Sequence, residues 1–174
     1  MRDKRQKDMR TKRVIALALA IALIISFSSC GLLPSLSAKK EAKKNFEYLR
    51  NKDIDKLVAL FSDDIKDTHD LYKEWEEFFR SIDGNIVSYE KISTGGESER
   101  IDHGKISYYS VAIIFQNVET DTGKTYEQIS YTQQREYKDH PENKGIHIFV
   151  VRIPDDSEKG FVEKTVGGFI TYTD

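Results

Sequence analysis

The chain has 174 residues and is poor in the residue types that build small, rigid sites. Its single cysteine, Cys30, and its two methionines, Met1 and Met9, leave no sulfur beyond residue 30. That excludes a disulfide framework, a thiol nucleophile and a cysteine metal site from everything that follows. With three prolines and ten glycines scattered along it, the sequence shows no internal repeat and no low-complexity linker. The longest apolar run, residues 14–27, has fourteen residues, fewer than the about 20 that a spanning helix needs. Positive charge is scarce as well once the N-terminus is set apart. The whole chain carries 27 basic and 29 acidic residues, but residues 30–174 carry 20 against 27. That acidic balance argues against nucleic acid, which requires a clustered positive face, so no nucleic-acid partner is expected.

What is present begins with an address. A basic stretch, residues 1–13, precedes the apolar run VIALALAIALIISF and then Ser28-Ser29-Cys30, the order of an export signal. Phe27-Ser28-Ser29-Cys30-Gly31 resembles the bacterial lipobox, with Phe27 standing where leucine is usual. The resemblance implies cleavage before Cys30 and a diacylglyceryl group on its sulfur. Two acyl chains hold a protein stably on a membrane where one is marginal. The expected organisation is a signal peptide over 1–29, a lipidated cysteine and short tether over 30–37, and one domain over 38–174 on the extracytoplasmic side of the cell membrane. Lys39, Lys40, Lys43 and Lys44 fall on the membrane-proximal helix, where each basic side chain gains about 1 kcal/mol beside anionic headgroups. A solvated helix face balanced by Glu41 and Glu47 explains them equally well.

The rest divides into a helical half and a strand-like half. Ala38, Ala42, Phe46 and Leu49 recur at helical spacing and predict a helix over about 38–51. Ile54, Leu57, Val58 and Phe61 mark a second over 54–62, capped by Asp53. Leu71, Trp75, Phe78, Phe79 and Ile82 mark a third over 68–82, begun by Asp67 or Thr68. From Asn85 the period becomes two, with strands expected over 85–92, 105–118, 124–137 and 145–153 and a short edge strand over 169–172. Short connections between long strands favour an antiparallel meander, and segregated helices make the fold class α+β, helices packed on a sheet of about four strands.

Asn51-Lys52-Asp53-Ile54, Leu57 and Leu60-Phe61-Ser62 resemble the opening of nuclear-transport-factor-two-like, or cystatin-like, domains. Ile82-Asp83-Gly84-Asn85-Ile86-Val87-Ser88-Tyr89, Gly95-Gly96, Asp102-His103-Gly104-Lys105-Ile106 and Gly123-Lys124-Thr125-Tyr126 resemble a family of bacterial lipoproteins of unknown function with that fold. The resemblance runs over about 38–153 and implies a curved half-cone sheet closed by helices over a pocket. The hairpin that many enzymes of the superfamily place before the third helix is missing.

The pocket that such a cone encloses would be lined by Trp75, Phe79, Tyr109, Phe115, Tyr131 and His147, or filled by them. On 105–118 the bulkier alternating set is Tyr109, Val111, Ile113 and Phe115. On 124–137 it is Ile129 and Tyr131, with Gln133 and Arg135 at the mouth, and on 145–153 it is His147, Phe149 and Val151. No carboxylate stands in these sets. Of the neighbouring carboxylate–imidazole pairs, Asp102-His103 is the one to weigh as a general base, and turn formation before Gly104 explains both residues. His69, His103, His140 and His147 show no pairing at helical metal-site spacing, so no metal and no cofactor is expected. Asp63, Asp64, Asp67 and Asp70 lack the glycine and closing glutamate of a calcium loop and read as a solvated, helix-capping cluster. The sequence therefore favours a non-catalytic binding domain, for a small apolar ligand or a protein partner. An isomerase- or cyclase-like enzyme using Asp102, His103, Tyr109 or Tyr131 is one alternative. A cell-surface accessory or self-protection factor, docking through Tyr108, Ala112 and Ile114, is the other.

Overall fold

A computed structural model describes residues 32–155 and 160–168 and divides the chain into two units, 1–37 and 38–174. Helix α1 spans Leu32–Arg50 and thus begins within the stretch read as a tether. Pro34 sits in its first turn, where a missing N–H costs nothing. Ala38, Ala42, Asn45, Phe46 and Leu49 are its buried face. Lys52 takes a left-handed φ of 51° just past its end, and Asp53 N then donates to Tyr48 O at 3.0 Å. Asp53 also caps α2, Ile54–Ala59, accepting from Lys56 N at 3.3 Å.

Helix α2 stops three residues before the periodicity does. Phe61 is drawn out to pair with the sheet: Ile146 N donates to Leu60 O at 2.8 Å and Ser62 N to Ile146 O at 3.0 Å. The acidic cluster that follows forms a short helix of its own, α3, Asp63–Thr68, with Ile65 buried. Its presence moves the start of α4, Leu71–Ser81, to the cap Asp70, which accepts from Lys73 N at 3.3 Å. Asp67 and Thr68, the expected starters, end α3 instead.

The sheet has five antiparallel strands in sequence order. They are β1 (Ile86–Asp102), β2 (Lys105–Thr120), β3 (Thr125–Tyr137), β4 (Gly145–Asp155) and β5 (Gly160–Gly167). Strand β1 is much longer than the expected 85–92, because Gly95-Gly96 is a bulge and not a turn. Gly95 pairs with Ala112, Gly96 takes a φ of 55°, and pairing resumes at Ser98 with Ser110. The fifth strand corrects the count of about four; the edge strand expected over 169–172 lies outside the described residues. Between β1 and β2, His103 and Gly104 both have positive φ, 47° and 76°, in a two-residue hairpin turn.

The core lies between the helices and one face of the sheet. On β2 the buried set is Tyr109, Val111, Ile113 and Phe115, after which Asn117 at φ 50° shifts the alternation to Val118 and Thr120. Ile129 and Tyr131 come from β3, and Phe149 and Val151 from β4. Trp75 of α4 meets Phe149 at 4.9 Å between ring centroids, and Phe46 of α1 meets Phe115 at 5.1 Å.

Candidate functional site

Strand alternation and helix packing bring most of the sequence-selected aromatics into one row. Phe79 stacks on Trp75 at 5.5 Å, Trp75 meets Phe149 at 4.9 Å, Phe149 meets Tyr131 at 4.8 Å and Tyr131 meets Phe115 at 6.1 Å. Trp75, Phe115 and Tyr131 are fully buried, Tyr109 nearly so, and Phe79 is half-buried beneath Lys52 Nζ. These rings pack against each other as a core does.

His147 stands apart from the row. Thr132 pairs with Ile148 and Gln133 with Ile146, so His147 is the extra residue of a bulge. The inward place beside Phe149 and Val151 therefore goes to Ile146, and His147, half-buried, has Nε2 at 2.7 Å from Asn143 O. Asp102 and His103 are 3.5 Å apart at the tip of an exposed hairpin, with the imidazole 95% exposed and Lys138 Nζ 3.5 Å from the carboxylate. They line a cleft of about 350 Å³ with Lys105, Ile106, Ser107, Glu136 and Lys138, in which the exposed imidazole stays in contact with water. His69 pairs with Glu74 at 2.9 Å, and the second oxygen of that carboxylate accepts from Gly167 N at 2.7 Å, which ties α4 to the end of β5. No three His, Asp or Glu side chains converge on a metal position among the described residues.

The polar feature that the fold assembles is at the end of the aromatic row. Arg135 on β3 donates to Glu41 of α1 at 2.7 Å and to Gln133 Oε1 at 3.3 Å, while Gln133 Nε2 reaches Glu41 at 3.4 Å. One helical turn on, Asn45 Nδ2 donates to the Tyr131 hydroxyl at 3.0 Å, both side chains being buried. Asn45 Oδ1 and the Tyr109 hydroxyl are buried without a hydrogen-bond partner among the described residues. Burial pushes the Tyr131 phenol far above its ordinary range, outweighing the opposite pull of the Asn45 bond. Burial, reinforced by the Glu97 carboxylate, raises Tyr109 too. Both phenols are therefore neutral and serve as hydrogen-bonding groups, not bases.

Above this set opens a cleft of about 420 Å³, lined by Glu41, Phe61, Lys66, Gln133, Arg135 and Lys144 among others. Its charges are largely matched, Lys66 to Asp63 at 3.0 Å and Lys144 to Glu136 at 3.1 Å. Gln133 and Arg135, expected at a cavity mouth, both line this cleft, but Arg135 is the extra residue of a bulge on β3 and buried Gln134 lines it as well. Glu41 and Asn45 were missed, although Asn45 is a polar residue inside the apolar stripe of α1 and Glu41 lies four residues before it.

No curated protein matches the chain. Residues 44–153 match the family model described as a domain of unknown function (DUF5104), and the chain belongs to that family.

Proposed function

We propose that this protein is an exported lipoprotein, anchored through a diacylglyceryl group on Cys30 to the extracytoplasmic side of a bacterial membrane, whose domain binds a partner without transforming it. The ordered basic, apolar and Ser-Ser-Cys segments support the anchor. No helix among the described residues is long and apolar enough to cross a membrane. Helices that precede an antiparallel meander, with bulges that bend its strands, support a curved, nuclear-transport-factor-two-like half-cone.

One observation carries the binding reading: the space between helices and sheet is occupied by the aromatic row, while the polar cleft over Glu41, Gln133 and Arg135 stays open. A cleft rimmed by both charge signs and hydrogen-bonding amides suits a polar segment of a protein partner. A photo-crosslinking residue placed at Lys144, on the rim, should give a discrete adduct in cells that the same residue at Lys91 does not. No adduct at Lys144 would overturn the protein-partner reading.

A second reading, a small apolar ligand with one or two hydrogen-bonding groups, is favoured by the unpartnered Asn45 Oδ1 and Tyr109 hydroxyl. It expects a small molecule that co-purifies with the intact protein in native mass spectrometry and is lost in Asn45→Leu.

A further inference from the structure

The outer face of α1 is strongly basic and largely unmatched. Ala38, Ala42, Asn45, Phe46 and Leu49 turn inward, which leaves Lys40, Lys43, Lys44 and Arg50 exposed on the opposite side with one acid, Glu47. Glu47 is taken by Arg50, and Glu41, on the flank, is held by Arg135 at 2.7 Å. Lys40, Lys43 and Lys44 have no carboxylate partner among the described residues. The patch continues onto α2, because Lys44 and Lys56 both lie over the Tyr48 ring, at 5.7 and 5.3 Å. Lys56 is itself paired with Asp53.

This face contrasts with the remainder of the domain. Residues 38–50 carry five basic and two acidic side chains, whereas residues 51–174 carry fifteen and twenty-five. The positive end is also the end nearest Cys30 in the chain. Ten residues separate Lys40 from Cys30, a span of at most about 35 Å, so a bilayer that holds Cys30 is always within reach of the patch.

We propose that the outer face of α1, with Lys40, Lys43 and Lys44 at its centre, docks on anionic phospholipid headgroups of the membrane that carries Cys30. This rests on the lipoprotein reading for what brings the chain to a bilayer. Each unmatched lysine strengthens contact with an anionic surface about fivefold, and the effect decays over a Debye length of about 10 Å. The acidic remainder is repelled by the same surface, so attraction and repulsion select one orientation. In that orientation the flank of α1, with Glu41 and the cleft above it, is left free.

The test uses the full protein isolated from its host and reconstituted into two kinds of vesicle, phosphatidylcholine alone and phosphatidylcholine with about one third phosphatidylglycerol. Lysine acetylation read by mass spectrometry should show Lys40, Lys43 and Lys44 protected severalfold in the anionic vesicles only, with high salt removing the protection. Lys91 and Lys105, exposed on the sheet, should react equally in both. Equal reactivity of the α1 lysines in the two vesicles, as expected if the face takes an acidic protein instead, would overturn the proposal. So would protection that extends to Lys91 and Lys105. The mass of the Cys30 peptide from the same sample reports lipidation separately, so a missing lipid and a missing contact are distinguishable.

Discussion

Asn85 and Asp121, thirty-six residues apart, hold each other through three hydrogen bonds. The Asp121 carboxylate accepts from Asn85 N and from Asn85 Nδ2, both at 2.7 Å, and Asp121 N donates to Asn85 O at 2.9 Å. The residue before β1 is thereby fastened to the turn that joins β2 and β3. Beside it the Tyr126 hydroxyl accepts from Asp83 N at 2.7 Å, so the exit from α4 is held by two elements of the sheet.

This clasp makes stability depend on acid. The backbone bond from Asn85, followed by its side-chain bond, holds the Asp121 carboxyl below the usual carboxylate range. A depressed folded-state value contributes stability above the unfolded value, about 4, that is lost as pH falls through the folded one. Asp121→Asn should therefore melt below the wild type at neutral pH, and the gap between the two should close as pH falls from the unfolded carboxylate value of about 4 through the lower folded one. A gap that stays constant from neutral pH to acid would show that the charge on Asp121 contributes nothing.

Trp75 is fully buried against Phe61, Phe78, Phe79 and Phe149, and its Nε1 has no hydrogen-bond partner among the described residues. Trp75→Ala should cost about 3–5 kcal/mol, since four rings lose their common neighbour. Trp75→Phe should cost much less, because removal of the unpaired N–H offsets part of the cavity. Urea denaturation checks both; equal losses in the two variants would mean that the retained phenyl ring recovers none of the packing, and would overturn this account.

Where the backbone keeps a strict period, the sequence was a sufficient guide. On β2 nothing interrupts alternation from Tyr109 to Phe115, and the bulkier set is the buried one. Where one residue is extra, the guide failed. A bulge at His147 hands its inward place to Ile146, and a bulge at Gly95-Gly96 carries β1 ten residues past the expected end at 92. Such irregularities are settled by pairing with a neighbouring strand, which local composition does not encode. Phe61 left α2 for the same kind of reason, recruited by Ile146. The candidate cleft was partly legible: Gln133 lies on the expected side of β3, whereas Arg135 is the extra residue of a bulge, buried Gln134 joins the lining, and Glu41 depends on how α1 is set against β3.

The anchor is open to a direct check. Cys30→Ser should abolish incorporation of labelled fatty acid and leave an uncleaved or secreted protein, since the proposed lipid is carried on that sulfur. Label retained in the substituted protein would sink the lipobox reading.

Asn45 and Tyr131 allow a direct test of the buried polar contact between α1 and β3. Their bond, 3.0 Å long, is buried between α1 and β3, and Asn45 Oδ1 has no other partner among the described residues. Tyr131→Phe removes the acceptor and leaves the Asn45 amide donor buried and unpaired, at a cost of about 1–3 kcal/mol. Asn45→Leu removes the donor and the unmatched oxygen together, and leaves the Tyr131 hydroxyl buried without this partner. Each single variant strands one buried polar group, so adding Asn45→Leu to Tyr131→Phe should cost less than the sum of the two. Chemical denaturation of the two single variants and the double closes the cycle. Losses that simply add would show that the two groups do not interact.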